Sequence, residues 1–412
     1  MTKTSLSTNI IFQKLESLKI YSHKYGIKAA VGRVFKQTAK MALKHSGLSG
    51  KFTVFNLKRQ GYDCSNFISA GEAFRLGYAE LWQNADSFGD SLLFRFALEQ
   101  YYRKTGKKLL IASGKPEFFV NTVFCYVLKD FITEDRIKEN CTKPAVNIGK
   151  YTFTNKILNH GFCYRTNSLG EVVRKFPDKH IITTLCEEMG IEGEVVIEPG
   201  LNLTAKEKLF GRFSGKKQIA VMNGGVMLYK DLPAETTQKI IDELSDKYDF
   251  VQIGSEMDLP LKNALNMQGR LSLREVAAVL YNSDLFIGTI GGLMHLARAV
   301  NCRSVIAYSG EPDYFVHYNC NAKSYSVTPC EECPQNRVDP FFEVCPYDYK
   351  CIKNICYLDM IEKINDQINH PKEISPHVET AVSKEVNGIE GFLRLTQEVY
   401  KRRPRAVNLA ER

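Results

Sequence analysis

Apolar and polar positions change rhythm repeatedly along the chain. Residues 78–83 form an apolar run; Leu92, Leu93, Phe96, Ala97 and Tyr101 then recur at helical spacing up to Thr105-Gly106, and 107–112 returns to a buried-strand pattern. That succession predicts a β-α-β unit. Around it, 52–57 reads as a short strand, 118–129 and 179–189 as helices, and 194–198 as another short strand. After a polar, glycine-bearing stretch at 201–217 the alternation becomes regular. Strands are predicted at 218–222, 250–253, 284–287 and 304–308, and helices at 233–248, 272–281 and 293–300. The second of these helices opens on a Ser272…Glu275 capping box. Such alternation implies a parallel, doubly wound α/β sheet, with ligands beyond the carboxyl ends of its strands. The segments Asn223-Gly224-Gly225, Gly254-Ser255-Glu256 and 288–292 are then expected to line one crevice. The boundary at 201–217 divides the chain into a basic, helical extension (1–75), a first α/β domain (76–212), a second (213–360) and a tail (361–412), helical over 378–400.

Composition narrows the class. The chain has 412 residues, 44% hydrophobic and 25% charged, which suits two or three soluble domains and excludes wholesale disorder. No apolar run approaches the ~20 residues that span a bilayer, and 1–50 lacks a secretory core, so a cytoplasmic chain is expected. The net charge of +9 is concentrated at the start, where 1–60 holds twelve Lys and Arg against Glu16 alone. Apolar residues at near-helical spacing among those charges suit either an anionic membrane surface or a solvated helical lid. No groove-reading motif or stacking-aromatic signature of a nucleic-acid-binding module is recognised among them, which argues against a nucleic-acid partner. Neither G-x-G-x-x-G nor a Walker loop occurs, so dinucleotide and ATP-hydrolysis readings fail.

Gly291-Gly292 runs directly into a predicted helix carrying Met294 and His295. Adjacent glycines, free amides and the helix dipole favour an anion there, the alternative being tight strand–helix packing with an interior histidine. Lys230 and Glu256 follow other strands of the same half, and Asp90 opens the helix after Ser87-Phe88-Gly89. Together, Phe88-Gly89-Asp90, Lys230-Asp231-Leu232-Pro233, Gly254-Ser255-Glu256, Ser272-Leu273-Arg274-Glu275 and Gly292-Leu293-Met294-His295-Leu296-Ala297 resemble, in the same order, the heptosyltransferase-like glycosyltransferases of family 9. The resemblance covers about 79–355. It implies a GT-B fold, two Rossmann-like domains facing each other, and an inverting transfer from a nucleotide-diphosphate sugar to a cell-surface glycan or glycolipid, at the inner face of the cytoplasmic membrane. It casts Asp90 as the base, Lys230 and His295 as diphosphate ligands, Gly291, Gly292 and Met294 as the surrounding cradle, and Glu256 as the ribose contact, with no cofactor required for catalysis. The sequence differs from the family pattern at Ile290, where an acid is usual, and at Gly225-Val226-Met227, which offers only backbone donors. Those differences suggest the alternative of a catalytically silent glycan-binding or membrane scaffold.

Half of the twelve cysteines fall in 320–356. Cys330-x-x-Cys333 with Cys345 and Cys351 forms a candidate structural zinc or iron site, with reduced thiols or local disulfides as alternatives.

Overall fold

In a computed structural model the described residues are 49–84, 87–131, 143–158, 163–166, 172–213, 215–225, 228–328, 345, 347–371 and 374–382. The expected extension before residue 49 and the tail beyond 382 lie outside them. The first sheet comprises β1 (Phe67–Ile68), β2 (Glu80–Gln83), β3 (Leu109–Ile111), β4 (Cys125–Leu128), β5 (Ala145–Ile148) and β6 (Tyr151–Ile157), in the order β1-β4-β3-β2-β6-β5. All of its pairings are parallel except β5–β6. A separate hairpin joins β7 (Cys163–Thr166) to β8 (Val172–Lys175). After β9 (Gly193–Ile197), the second sheet takes β10 (Gln218–Val221), β11 (Asp249–Gln252), β12 (Ala264–Asn266), β13 (Leu285–Thr289), β14 (Ser304–Ala307) and β15 (Asn321–Ser324). Its order is β12-β11-β10-β13-β14-β15, parallel throughout. The chain leaves β10 in one direction for β11 and β12 and in the other for β13 onward, so the switch point lies between β10 and β13.

The helices used below are α1 (Ser49–Arg59), α2 (Ala70–Arg75), α3 (Phe88–Thr105), α4 (Ile181–Glu188), α5 (Ala234–Leu244), α6 (Leu273–Tyr281), α7 (Gly292–Ala299) and α8 (Tyr357–Asn369). The long helix α3 is capped by Ser87, whose side chain accepts from the Asp90 amide, and ends on left-handed Gly106. The predicted capping box at Ser272 and Glu275 forms as expected. One hydrophobic cluster runs without a break from Trp82 and Phe94 in the first half to Met294 and Phe315 in the second, with α3, α4, α6 and α7 filling the space between the sheets.

Three expected elements take another form. Residues 52–57, read as a strand, belong to α1, because Gly50, Val54 and Leu57 are the buried positions and their spacing is helical. Residues 118–129, read as a helix, become a 3-10 turn at Pro116–Phe118 followed by β4. Asn121 adopts φ 55° there, and the buried Asn66 amide donates to the Phe119 carbonyl, holding the chain out of the helical conformation. The start of the expected tail helix is instead β16 (His377–Ala381), which pairs antiparallel with β9; the remainder of 378–400 lies outside the described residues.

Two buried polar clusters tie the halves together. Arg274 on α6 is bonded to Glu207 at 2.5 and 2.8 Å, donates to the carbonyls of Glu117 and Asn202, and sits 4.9 Å over the Tyr62 ring. Burial pushes the Glu207 carboxyl up, but hydrogen bonds from Arg274, Tyr62 and the Thr204 amide prevail and hold its pKa at about 2. In the second cluster Tyr318 lies between His295, bonded to its hydroxyl at 2.7 Å, and His180, 5.2 Å away ring to ring. His180 caps α4 by accepting from the Ile182 amide. Burial first, then the neighbouring rings of His295, His377 and His317, push the His180 pKa well below 6.5, so this ring is neutral in the fold.

Arg274→Met leaves Glu207 without its cation and is expected to lower unfolding stability by about 3 kcal/mol, read from the urea midpoint. In the unfolded chain His180 takes up a proton near its ordinary pKa, whereas in the fold it does not. The unfolded state therefore binds more protons as pH falls, and stability declines from about pH 7 to about pH 5. Thermal melts across that range should show the decline, and His180→Asn should flatten it.

Candidate active site

The site is set by where two helices begin. After β2, Asn84 donates its side-chain amide to the Asp90 carbonyl at 3.0 Å, fixing the first turn of α3. After β13, at the switch point, Gly291 takes φ +153°, which L side chains rarely adopt, and α7 starts at Gly292. These two N-termini meet. A Cβ on Gly89 would lie 3.2 Å from Gly292 Cα and 3.9 Å from Cδ2 of His295, and a Cβ on Gly292 would overlap the Phe88 ring. Only glycine permits this approach, and both helix dipoles point their positive ends into the seam. Asp90 stands half-buried at its rim.

The loops on the other side of the switch point converge as the glycine pattern predicts. Lys230 ends a 3-10 turn at Leu228–Lys230, and a Cβ on Gly225 would collide with its carbonyl. That carbonyl also accepts from Thr289 Oγ1 at 2.8 Å, so the Lys230 turn is fastened to the end of β13. Lys230 Nζ pairs with Glu311 Oε1 at 2.6 Å, the two side chains being 17% and 14% exposed. Glu256 is half-buried beside Gly269, whose φ of +65° and proximity to the Glu256 Cβ leave no room for a side chain. Asp258 lies where Cβ atoms on Gly224 and Gly254 would be, and its carboxylate accepts from the Ser255 amide at 2.8 Å. Burial, and then the nearby charge of Asp258, raise the pKa of Asp231.

His295 is only 4% exposed, with Nδ1 engaged by Tyr318, so just its Cδ2 edge faces Gly89. Met294 is fully buried against Tyr308 and offers a ligand no surface, and Ile290 is likewise interior. Asp90, Gly291, Gly292 and His295 therefore share one seam, with Lys230 on the neighbouring loop and Glu256 farther out after β11. Sequence reasoning missed Glu311, Thr289 and Tyr318. Glu311 stands four residues past the end of β14, in Gly310-Glu311-Pro312, and could have been found as a carboxylate in a strand-end loop. No sequence signal marks Tyr318 as the partner of His295.

Cys345 is buried and Cys351 half-buried, while Cys330 and Cys333 lie outside the described residues. Among the described residues no three His, Cys, Asp or Glu side chains converge as a metal would require.

Residues 234–339 match the family model for glycosyltransferase family 9 (heptosyltransferase), a span that takes in α5 to α7 and the loops after β11 and β13 but neither the Lys230 turn nor Asp90. That stretch, about a quarter of the chain, is similar to the family 9 glycosyltransferases. Solved structures agree on the fold. A family 9 glycosyl transferase from Veillonella parvula is 13% identical with a TM-score of 0.50, the match covering 70% of this chain and 96% of that one. The dodecameric iron-containing glycosyltransferase TibC from enterotoxigenic E. coli is 14% identical with a TM-score of 0.51, covering 71% and 76%. TibC in complex with ADP-D-beta-D-heptose matches at 16% identity and a TM-score of 0.51, covering 72% and 77%. No curated protein matches the chain by sequence. The chain shares the GT-B arrangement of these structures, two facing α/β sheets with the seam between them.

Gly292→Ala should force the Phe88 ring aside at a cost of about 1–3 kcal/mol, as overpacking does. Chemical denaturation should also show that Phe88→Leu recovers part of that loss in the double variant, which a structural effect unrelated to this contact would not produce.

Proposed function

We propose that the chain transfers a heptose or hexose from a nucleotide-diphosphate donor, with inversion, to a hydroxyl of a lipopolysaccharide-like glycan or glycolipid at the inner face of the cytoplasmic membrane. The observation that carries this reading is the meeting of two helix N-termini at Gly89 and Gly292, which sets a carboxylate beside an anion-favouring turn. In the proposed reaction the acceptor oxygen attacks the anomeric carbon and its proton passes to Asp90. The bond from that carbon to the terminal phosphate oxygen breaks, and the nucleoside diphosphate leaves. Base assistance is worth about 10²–10⁴ in rate, and stabilising the departing charge can be worth as much.

The amides of the Gly291-Gly292 turn and the α7 dipole receive the diphosphate, and Lys230 exchanges Glu311 for a phosphate oxygen when donor enters. Glu256 accepts from the ribose. His295 acts from behind the turn: with Nδ1 held by Tyr318, its other edge is kept toward the α3 terminus. TibC, of the same fold, is described in complex with ADP-D-beta-D-heptose, which makes an ADP-linked heptose the first donor to test. A structural metal held by Cys330, Cys333, Cys345 and Cys351 is part of the proposal, and elemental analysis before and after Cys345→Ser tests it. Metal content unaffected by that change would remove Cys345 from the set.

Asp90→Asn should lower turnover by about a hundredfold or more while leaving donor affinity within about twofold. Unchanged turnover would strike Asp90 from the reaction. Lys230→Ala should weaken nucleotide-diphosphate binding by about tenfold or more in titration calorimetry, the usual worth of a charge-assisted hydrogen bond.

A further inference from the structure

We propose that the outward face of α1 docks on an anionic lipid bilayer and lays the acceptor edge of the first sheet against it. What that edge then receives, a lipid-linked hydroxyl, rests on the glycosyl-transfer reading above.

The inward face of α1 is occupied. Gly50, Val54 and Leu57 are buried, and a Cβ on Gly50 would overlap the Lys129 carbonyl, so the helix is seated on the 3-10 turn Lys129–Phe131. The outward face carries Lys51, Phe52, Phe55, Lys58 and Arg59, all exposed, with Phe52 at 46% and Phe55 at 60%. Positions three and four apart share one side of a helix, which places the two rings together between the cations. The helix contains no acid. Single exposed apolar residues need no explanation, but paired aromatic rings bounded only by Lys and Arg suit a surface with an apolar interior and anionic headgroups. The same sign continues upstream, where residues 1–48 hold nine Lys and Arg against Glu16. A neutral apolar partner would leave these cations unanswered, and an acidic protein surface would leave the rings in water.

The position of α1 gives the docking a consequence. The turn that seats it follows the carboxyl end of β4. β4 is parallel to β3 and β3 to β2, and the carboxyl end of β2 leads through Asn84 to Asp90. Two strand spacings, about 10 Å along one edge, separate β4 from β2. A bilayer against the first turn of α1 therefore lies along the edge at which Asp90 stands.

The test is vesicle flotation of the full-length chain without donor, comparing phosphatidylcholine vesicles with mixed phosphatidylcholine–phosphatidylglycerol vesicles. The expected result is binding to the mixed vesicles alone, weakened by salt. Phe52→Gln/Phe55→Gln and, separately, Lys51→Gln/Lys58→Gln/Arg59→Gln should each lower partitioning about tenfold or more, with melting temperatures unchanged because every altered side chain is exposed. Failure of the wild-type chain to float with anionic vesicles overturns the proposal, as does equal binding to neutral ones. Undiminished binding by both variants overturns it too, because the attraction would then lie elsewhere, residues 1–48 included. Nucleotide binding by the same variants keeps the two readings apart: its retention alongside lost flotation supports docking by α1, and its absence in the wild-type chain would count against the transfer reading alone.

Discussion

The molecule depends on one close approach, that of Gly89 to Gly292. Two helices from different sheets begin within van der Waals reach of each other, and a methyl group on Gly292 would have to displace the Phe88 ring. Helix N-termini carry unsatisfied amides and partial positive charge, so opposing two of them is unfavourable unless something negative stands nearby. Asp90 supplies a carboxylate at the rim, and the unfilled turn at Gly291 keeps backbone donors available. Packing and charge thus lead to the same place: the contact that closes the halves also creates the field in which a diphosphate would be held.

Around that contact the seam is made rigid by buried polar groups whose partners come from distant parts of the chain. Arg274 draws on Glu117, Asn202 and Glu207, and Tyr318 stands between His295 and His180. Desolvated groups of this kind are costly unless paired, so they resist sliding more than an apolar surface would. The Lys230–Glu311 pair differs in kind. It is partly exposed and joins the loops that follow β10 and β14. The buried polar clusters and this more accessible ion pair are therefore separate sets of residues.

The second sheet was legible in the residues because its strands are apolar, its helices amphipathic, and its loops glycine-bearing; from β10 to β14 the predicted elements fall within a few residues of the observed ones. In the first half, local pattern misled where tertiary partners overruled it. Residues 52–57 alternate like a strand yet bury Val54 and Leu57 on a helix, and 118–129 looks helical until Asn66 draws the Phe119 carbonyl aside. β16 was illegible, because its partner β9 lies about 180 residues earlier and nothing in its own sequence names that neighbour.

By itself the sequence determined the α/β class, the parallel character of the second sheet, the glycine turn before α7 and the candidate residues around it, since these follow from periodicity, caps and the steric freedom of glycine. Tertiary structure alone decided which candidates face the seam. It buried Met294, turned His295 edge-on by giving Nδ1 to Tyr318, paired Lys230 with Glu311, and left two aromatic rings of α1 in the open. The physical reason is that side-chain direction and ionic partnership depend on atoms far away in the chain, whereas turn geometry and hydrophobic period depend on neighbours.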